Sequence, residues 1–167
     1  MKKIFILLLL LTSFFFLGCT EQKQILVVDK VFGEAWTHEE AGIVLPIAEA
    51  DTYYTVDLNA GQLNGFAFQD NNLIAQHNGT YLINFSISFG GGGNNEYGIV
   101  AFVNETKQDN CYVHRKLGAA GDVGAAGDNC IIDINAGQYL TLRVEDETDP
   151  ASDITVQSAT ITALKIK

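Results

Sequence analysis

The sequence predicts an all-β fold, an antiparallel jelly-roll sandwich of about ten strands, and three observations support this prediction. Beyond residue 24 the chain has no apolar periodicity of about 3.6 residues, as an amphipathic helix would have. Short stretches rich in Val, Ile, Phe, Tyr and Thr recur instead. Turn signals separate them, with Asn and Gly at residues 59–61, 77–79 and 135–137, where positive φ is tolerated.

The clearest strand covers residues 79–89, where apolar and mainly polar positions alternate. Its apolar positions are Tyr81, Ile83, Phe85, Ile87 and Phe89. Alternation of this kind predicts one packed face and one mainly polar face. Burying each of these side chains contributes roughly 1.5–3 kcal/mol, so a register slip of one residue would be strongly unfavourable.

The remaining strands are predicted from looser patterns. They cover residues 25–32, 43–47, 52–57, 66–68, 73–76, 97–104, 112–116, 130–134, 139–145 and 154–166. In the last of them the apolar positions shift from Ile154 and Val156 to Ile161, and then to Leu164. This shift predicts either a β-bulge or a strand that is buried on both faces.

The first residues have the pattern of an export signal. Lys2 and Lys3 precede an apolar run over residues 4–17, which is too short to cross a membrane comfortably and stops at Gly18. Phe16-Leu17-Gly18-Cys19 resembles the lipobox at which bacterial lipoproteins are cleaved and modified with lipid. The resemblance implies a signal peptide over residues 1–18 and lipid attachment at Cys19. An unmodified Cys behind an ordinary signal peptide is the alternative.

The part of the chain after the signal divides into a tether and one domain. Residues 19–24 would form a lipidated Cys with a short polar tether, and residues 25–167 a single jelly-roll domain. Thr20 follows the Cys where Asp would suggest retention at the inner membrane, so the resemblance implies an exported lipoprotein at the outer membrane or cell surface.

The charge balance argues against nucleic acid as a partner. The chain has 20 Asp and Glu against 10 Lys and Arg, and its formal net charge is −10. A protein that binds phosphates through counterion release needs clustered cations, which this sequence does not provide.

A family resemblance begins in the strand over residues 79–89. Gly79-Thr80-Tyr81-Leu82-Ile83-Asn84-Phe85 resembles the central strand motif of the complement 1q globular head, a relative of the tumour-necrosis-factor jelly roll, and Phe66 stands where that pattern has an aromatic residue or Leu. The order of later segments agrees, namely Phe102-Val103-Asn104, then residues 114–118, then residues 134–137 before residues 140–144. Over residues 50–167 the chain resembles bacterial and viral members of this superfamily.

The resemblance implies a homotrimer that binds proteins or glycans and has no catalytic residues. By the same resemblance, Tyr53, Tyr81 and Phe85 are candidates for the trimer contact. Their aromatic side chains are equally suited to the core of one protomer, and both roles stay open.

Two glycine-rich segments are the predicted binding loops. Gly118, Gly121, Gly124 and Gly127 recur at every third position, but four triplets without Pro cannot sustain a collagen helix, so a flexible hairpin loop is expected there. The residues proposed for binding are Gly90, Gly91, Gly92, Gly93, Asn94, Asn95, Asp122 and Asp128.

Cys111 and Cys130 flank the second of these loops. If both sides pair as a hairpin centred between residues 120 and 121, the two thiols become cross-strand neighbours. An oxidising compartment favours a disulfide between them, since lipid would occupy Cys19. Two buried free thiols are the alternative.

An acidic segment follows the strand over residues 139–145. Its carboxylates offer the oxygen ligands that calcium prefers, although the spacing matches no known calcium loop and charged loops are usually only solvated. The candidate metal ligands are Glu145, Asp146, Glu147 and Asp149. Calcium is the one cofactor that the sequence suggests.

The sequence therefore favours a non-catalytic, lipid-anchored, trimeric jelly-roll domain that exposes loops to a surface glycan or protein. A virus-encoded fibre or decoration head is the structural alternative. A carbohydrate-active hydrolase is a third reading, because glycosidases need only two suitably placed carboxylates.

Overall fold

The computed structural model describes residues 30–167, which form eleven β-strands. The strands are β1 (Phe32–Leu45), β2 (Tyr54–Thr55), β3 (Asn59–Asn64), β4 (Phe66–Gln69), β5 (Asn72–Ala75), β6 (Gly79–Gly90), β7 (Glu96–Val103), β8 (Thr106–Lys116), β9 (Val123–Ile134), β10 (Tyr139–Asp146) and β11 (Ile154–Lys165). None of these residues belongs to a helix long and apolar enough to cross a membrane. The predicted signal peptide, Cys19 and the tether lie outside the described residues.

The strands form two antiparallel sheets that pack face to face. The five-stranded sheet has the order β3-β1-β11-β6-β9, and the six-stranded sheet has the order β4-β5-β10-β7-β8, with β2 paired to β10. The inward side chains of both sheets make one core. The all-β jelly-roll sandwich predicted from the sequence is confirmed.

β6 provides the centre of this core, as its alternating pattern predicts. All five apolar side chains of its inner face are at most 2% exposed. Tyr81 packs edge-on against Phe66, and Phe89 packs edge-on against Tyr97 from the opposite sheet. Tyr81 and Phe85 are therefore core residues of one protomer, and a direct trimer contact through them is excluded.

The first described strand is longer than the sequence predicts. Residues 25–29 of the predicted first strand lie outside the described residues, whereas β1 runs through residues 33–42, where no strand is predicted. The sequence of this stretch is polar and irregular, and its large side chains Trp36 and His38 lie on the exposed outer face. Its pairing with β11 nevertheless supplies the backbone hydrogen bonds of a strand, with a register shift between His38 and Ile43.

The turn predicted at residues 59–61 is wrong. Asn59 and Ala60 begin β3, because they pair with Trp36 and Ala35 of β1. The chain turns later, at Gly65, whose φ of 76° suits glycine. The predicted strand over residues 52–57 shortens to β2.

β11 contains the bulge that its shifting apolar pattern indicates. Its register against β6 shifts between Val156 and Ser158. After the shift Ile161 is buried and Leu164 lies on the outer face. Of the two predicted interpretations, the bulge is confirmed.

Cys111 and Cys130 form the predicted disulfide, but the predicted hairpin around it is wrong. Cys111 lies in β8 and Cys130 in β9, which are edge strands of different sheets. Their Cα atoms are 5.3 Å apart, and both side chains are buried. The disulfide therefore joins the two sheets along one side of the sandwich.

The predicted loop over residues 118–128 is shorter in the structure. β9 begins at Val123, so the loop ends at Asp122.

Candidate functional site

Three loops meet at the end of the sandwich where β6 finishes. They are residues 91–95 between β6 and β7, residues 117–122 between β8 and β9, and residues 147–153 between β10 and β11. The Leu117 backbone N–H donates to the Asn95 carbonyl at 3.0 Å. A Cβ atom on Gly93 would lie 2.6 Å from the Ala120 nitrogen, so only glycine allows this close approach. The structure thus brings the two predicted binding loops together.

Asp146, at the end of β10, connects two of these loops through hydrogen bonds. Its carboxylate is completely buried and accepts hydrogen bonds from Asn95 Nδ2 at 2.6 Å, from Ser152 N at 2.8 Å and from Thr148 N at 2.9 Å. One side chain therefore fixes the acidic loop and the glycine-rich loop in relation to each other.

The glycine run at residues 90–93 is held by a buried tyrosine. The Gly92 backbone N–H donates to the Tyr97 hydroxyl at 2.8 Å, and Gly91 packs directly on the same ring. Burial raises the pKa of Tyr97, so its hydroxyl stays neutral and accepts this bond. The run is an ordered platform whose glycines permit close approach.

A cleft of ≈ 420 Å³ opens between these loops. It is lined by Gly90, Gly91, Gly92, Gly121, Val123, Ser152, Asp153, Thr155 and Gln157. Three of the predicted binding residues line it. The residues from β11 and the loop before it are not predictable from the sequence, since a bulged strand has no local sign that it borders a cleft.

The other predicted binding residues have different places. Asn94 is exposed at the tip of its loop, with a φ of 65°, whereas Asn95 is buried on Asp146. Asp122 accepts a hydrogen bond from Ala119 N at 2.7 Å and so closes its own loop. Asp128 lies within β9, opposite Phe85, outside the loop in which it was predicted.

A second polar cluster lies near the same end, on the outer face of the six-stranded sheet. Gly98 of β7 has no side chain, and the Tyr112 hydroxyl and Glu145 occupy the space above it. Tyr112 donates to Glu145 Oε1 at 2.7 Å and also contacts Glu147 Oε1. Burial raises the pKa of Tyr112, and the hydrogen bonds with the two carboxylates raise it further.

His114 extends this cluster toward solvent. Its Nδ1 lies 3.0 Å from Glu147 Oε2 and 3.9 Å from Glu96 Oε1. Lys107 lies over the Tyr112 ring, with its Nζ 3.8 Å from the ring centroid. Among residues 30–167, the ligand atoms of Glu96, His114 and Glu147 lie close enough together to hold a metal ion.

This group shares one residue with the four predicted calcium ligands. Glu147 belongs to it, whereas Glu145 faces Tyr112 and the oxygens of Asp146 bind the loops. Asp149 is exposed beside Pro150. Glu96 and His114 belong to no spacing motif. The one local signal is a glycine, Gly98, inside the strand pattern of β7, because such a glycine often marks a close approach.

The fold has a counterpart among solved structures. No family model and no curated protein matches the sequence. The structure of Eiger TNF from S. frugiperda is similar to this chain with a TM-score of 0.63, covering 83% of this chain and 94% of that chain. The chain has a TNF-like jelly-roll fold. Sequence identity over the match is 11%, so the likeness concerns the fold alone.

Proposed function

We propose that this protein is a lipid-anchored, trimeric and non-catalytic binding domain whose loop end recognises a surface glycan or protein. The anchor is Cys19, in the part of the chain before the described residues. The observation that carries the proposal is that the first described residues enter the TNF-like sandwich at the end opposite to the three loops.

The chain enters the sandwich at the end opposite to the three loops. The Val31 carbonyl accepts from Lys165 N, and the Lys167 carbonyl accepts from Thr80 N at the start of β6. β6 has 12 residues and leads from there to Gly90. At about 3.3 Å per residue, the two ends are roughly 36 Å apart. A lipid on Cys19, with only residues 20–29 between it and Lys30, would hold one end near the bilayer and turn the loops outward.

The charges of the anchor end agree with a membrane surface nearby. Lys30, Lys165, Lys167 and His77 border one surface cavity there, although the whole chain is acidic. Each Lys near an anionic leaflet contributes about 1 kcal/mol of attraction. The acidic remainder of the domain would be repelled, which favours the same orientation.

An apolar row on the outer face of the five-stranded sheet supports the trimer. Phe32 pairs with Leu164, Leu164 with Leu82, and Leu82 with Ile131, so these four side chains cross four neighbouring strands. Leu164 is 43% exposed and Ile131 is 54% exposed. Phe32 beside them and Leu82 between them are half-buried. A contiguous, partly exposed apolar row of this kind is characteristic of a protein interface, and contact with further copies would cover it.

Light scattering of residues 20–167 tests the trimer. The described sandwich has its complete core within this range, and a mass three times that of the monomer is expected. Ile131→Glu should shift the mass to that of the monomer, because it places a charge in the apolar row. Val44→Glu is the matched control, since Val44 is exposed but lies outside the row. A monomeric wild-type protein at all concentrations would refute this part of the proposal.

Arrays of surface glycans and proteins test the binding role. Labelled residues 20–167 should bind a defined set of spots, and Gln157→Arg, which changes the cleft, should abolish that binding. Gln62→Arg makes the same change on exposed β3 and should leave it intact. Equal binding by both variants would show that the cleft is not the recognition site.

Mass spectrometry of the intact exported chain tests the anchor. The mass should include a covalently bound lipid in the wild type, and this added mass should be absent in Cys19→Ser.

A further inference from the structure

We propose that Glu96, His114 and Glu147 form a binding site for a divalent transition metal ion of the Zn²⁺ type. This site is distinct from the loop-end cleft and does not depend on the proposed function. Its three residues come from the start of β7, from β8 and from the segment after β10. They are far apart in sequence and meet only in the folded sheet.

The positions of the ligand atoms fit a metal ion. The three candidate ligand atoms all lie within 4.8 Å of one another, with His114 Nδ1 at 3.0 Å from Glu147 Oε2 and 3.9 Å from Glu96 Oε1. In a tetrahedral zinc site with bonds of about 2.0–2.2 Å, neighbouring ligand atoms are roughly 3.4 Å apart. The two distances from His114 Nδ1 bracket this value, and the third pair of ligand atoms lies within 4.8 Å, so side-chain adjustments of about 1 Å suffice.

The backbone fixes these residues before any ion binds. Glu147 N donates to the Glu96 carbonyl at 2.8 Å, and Glu96 N donates to Thr148 Oγ1 at 2.9 Å. His114 is held by its pairing with Gly98 of β7. Because two of the ligands lie on paired strands, their Cα positions change little when the side chains move.

Tyr112 acts as an orienting group for the metal ligand Glu147. Its hydroxyl has a single proton but contacts both Glu145 Oε1 and Glu147 Oε1. The neutral hydroxyl brings no positive charge to the two carboxylates, so a cation bound at Glu147 would interact favourably with both. The contact on Oε1 also leaves Glu147 Oε2 directed at His114. Such support from a second layer of residues is typical of metal sites.

The donor set selects the class of metal. One imidazole nitrogen with two carboxylate oxygens suits Zn²⁺ and related ions, whereas Ca²⁺ prefers six to eight oxygen ligands. The side chains of His114 and Glu96 are about half exposed, at 51% and 48%. The fourth position of the ion is therefore open to water.

Calorimetric titration of the full chain in detergent with ZnCl₂ tests the site. We expect one Zn²⁺ per chain. The affinity for Zn²⁺ should fall by about tenfold to a hundredfold or more in His114→Ala, since loss of an orienting group alone lowers metal affinity by about 10–100-fold. His38→Ala is the matched control, because His38 is exposed on β1 in the other sheet. It should bind as tightly as the wild type. Glu147→Gln should weaken binding like His114→Ala.

The same titrations contain the results that would overturn the proposal. Unchanged Zn²⁺ affinity in both His114→Ala and Glu147→Gln would place any bound ion elsewhere. Binding of CaCl₂ without binding of ZnCl₂ would mean a site of oxygen ligands. Absence of heat with either salt, confirmed by an unchanged thermal midpoint, would mean that the cluster is only a hydrogen-bonded network. Far-ultraviolet circular dichroism of each variant checks that it is folded.

Discussion

Asp146→Asn should destabilise the protein by roughly 3–5 kcal/mol, although it removes no atom from the core. Asp146 Oδ2 accepts from Asn95 Nδ2 and Ser152 N, and Oδ1 accepts from Thr148 N. The introduced amide can present its oxygen to the first two donors, but its NH₂ group then faces the third. A buried donor without a partner costs about 1–3 kcal/mol. The two remaining bonds lose their charge assistance, at about 1 kcal/mol each.

Guanidinium unfolding followed by tryptophan fluorescence measures this loss. At fixed protein concentration, the guanidinium concentration at the unfolding midpoint should fall. The slope of the unfolding free energy against guanidinium should stay constant, because the surface exposed on unfolding is unchanged. Asp149→Asn makes the same chemical change at an exposed position and should stay within about 0.5 kcal/mol of the wild type. If the two variants unfold together, Asp146 does not hold the loops, and the ordered loop end inferred from its contacts is wrong.

Three further predictions concern the core. Replacing both Cys111 and Cys130 by Ala should lower stability by about 3 kcal/mol in the chain-entropy model, because 19 residues separate them, and lower the midpoint in scanning calorimetry by roughly 6–12 °C; equal midpoints would contradict this. Burial raises the pKa of Tyr81 and Tyr97 above 10.0, so their contribution to stability is present below that pH and lost as pH rises through the folded values. Ultraviolet titration should find fewer tyrosines ionising before alkaline unfolding than after it, and equal numbers would refute the prediction. Phe85→Ala should cost about 3–5 kcal/mol by denaturant unfolding, and a loss below about 1 kcal/mol would exclude its central place in the core.

The sequence was sufficient where an element carries its own pattern. β6 alternates apolar and polar side chains between clear turn signals, so its inward face follows from local information alone. β11 carries the sign of its bulge in the same way, since the inward positions change parity along the strand. Neither prediction needs knowledge of the partner strands.

The sequence was insufficient where a distant partner decides the structure. Residues 33–42 look irregular because Trp36 and His38 face outward, and only the pairing with β11 makes them a strand. The pair Cys111 and Cys130 was predicted correctly from a hairpin that does not exist. The two cysteines are near each other because β8 and β9 are edge strands on the same side of the two sheets.

The candidate sites follow the same division. The glycine-rich loops were recognisable by composition, whereas their mutual packing through Gly93 and the buried Asp146 was not. The group of Glu96, His114 and Glu147 has no spacing motif, because three separate segments contribute one residue each.

The order of the loop end bears on the proposed recognition role. At the loop end, Asp146 and Tyr97 bind the backbone of the loops, so the surface around the cleft is formed before any ligand arrives. A preformed surface avoids the ordering cost that a mobile loop would pay on binding. In the proposed function, selectivity would come from the shape of the cleft and from the few side chains that border it, such as Gln157. Substitutions of Asn94, which lies at the exposed tip of its loop and outside the cleft, should reduce ligand binding less than substitutions within the cleft.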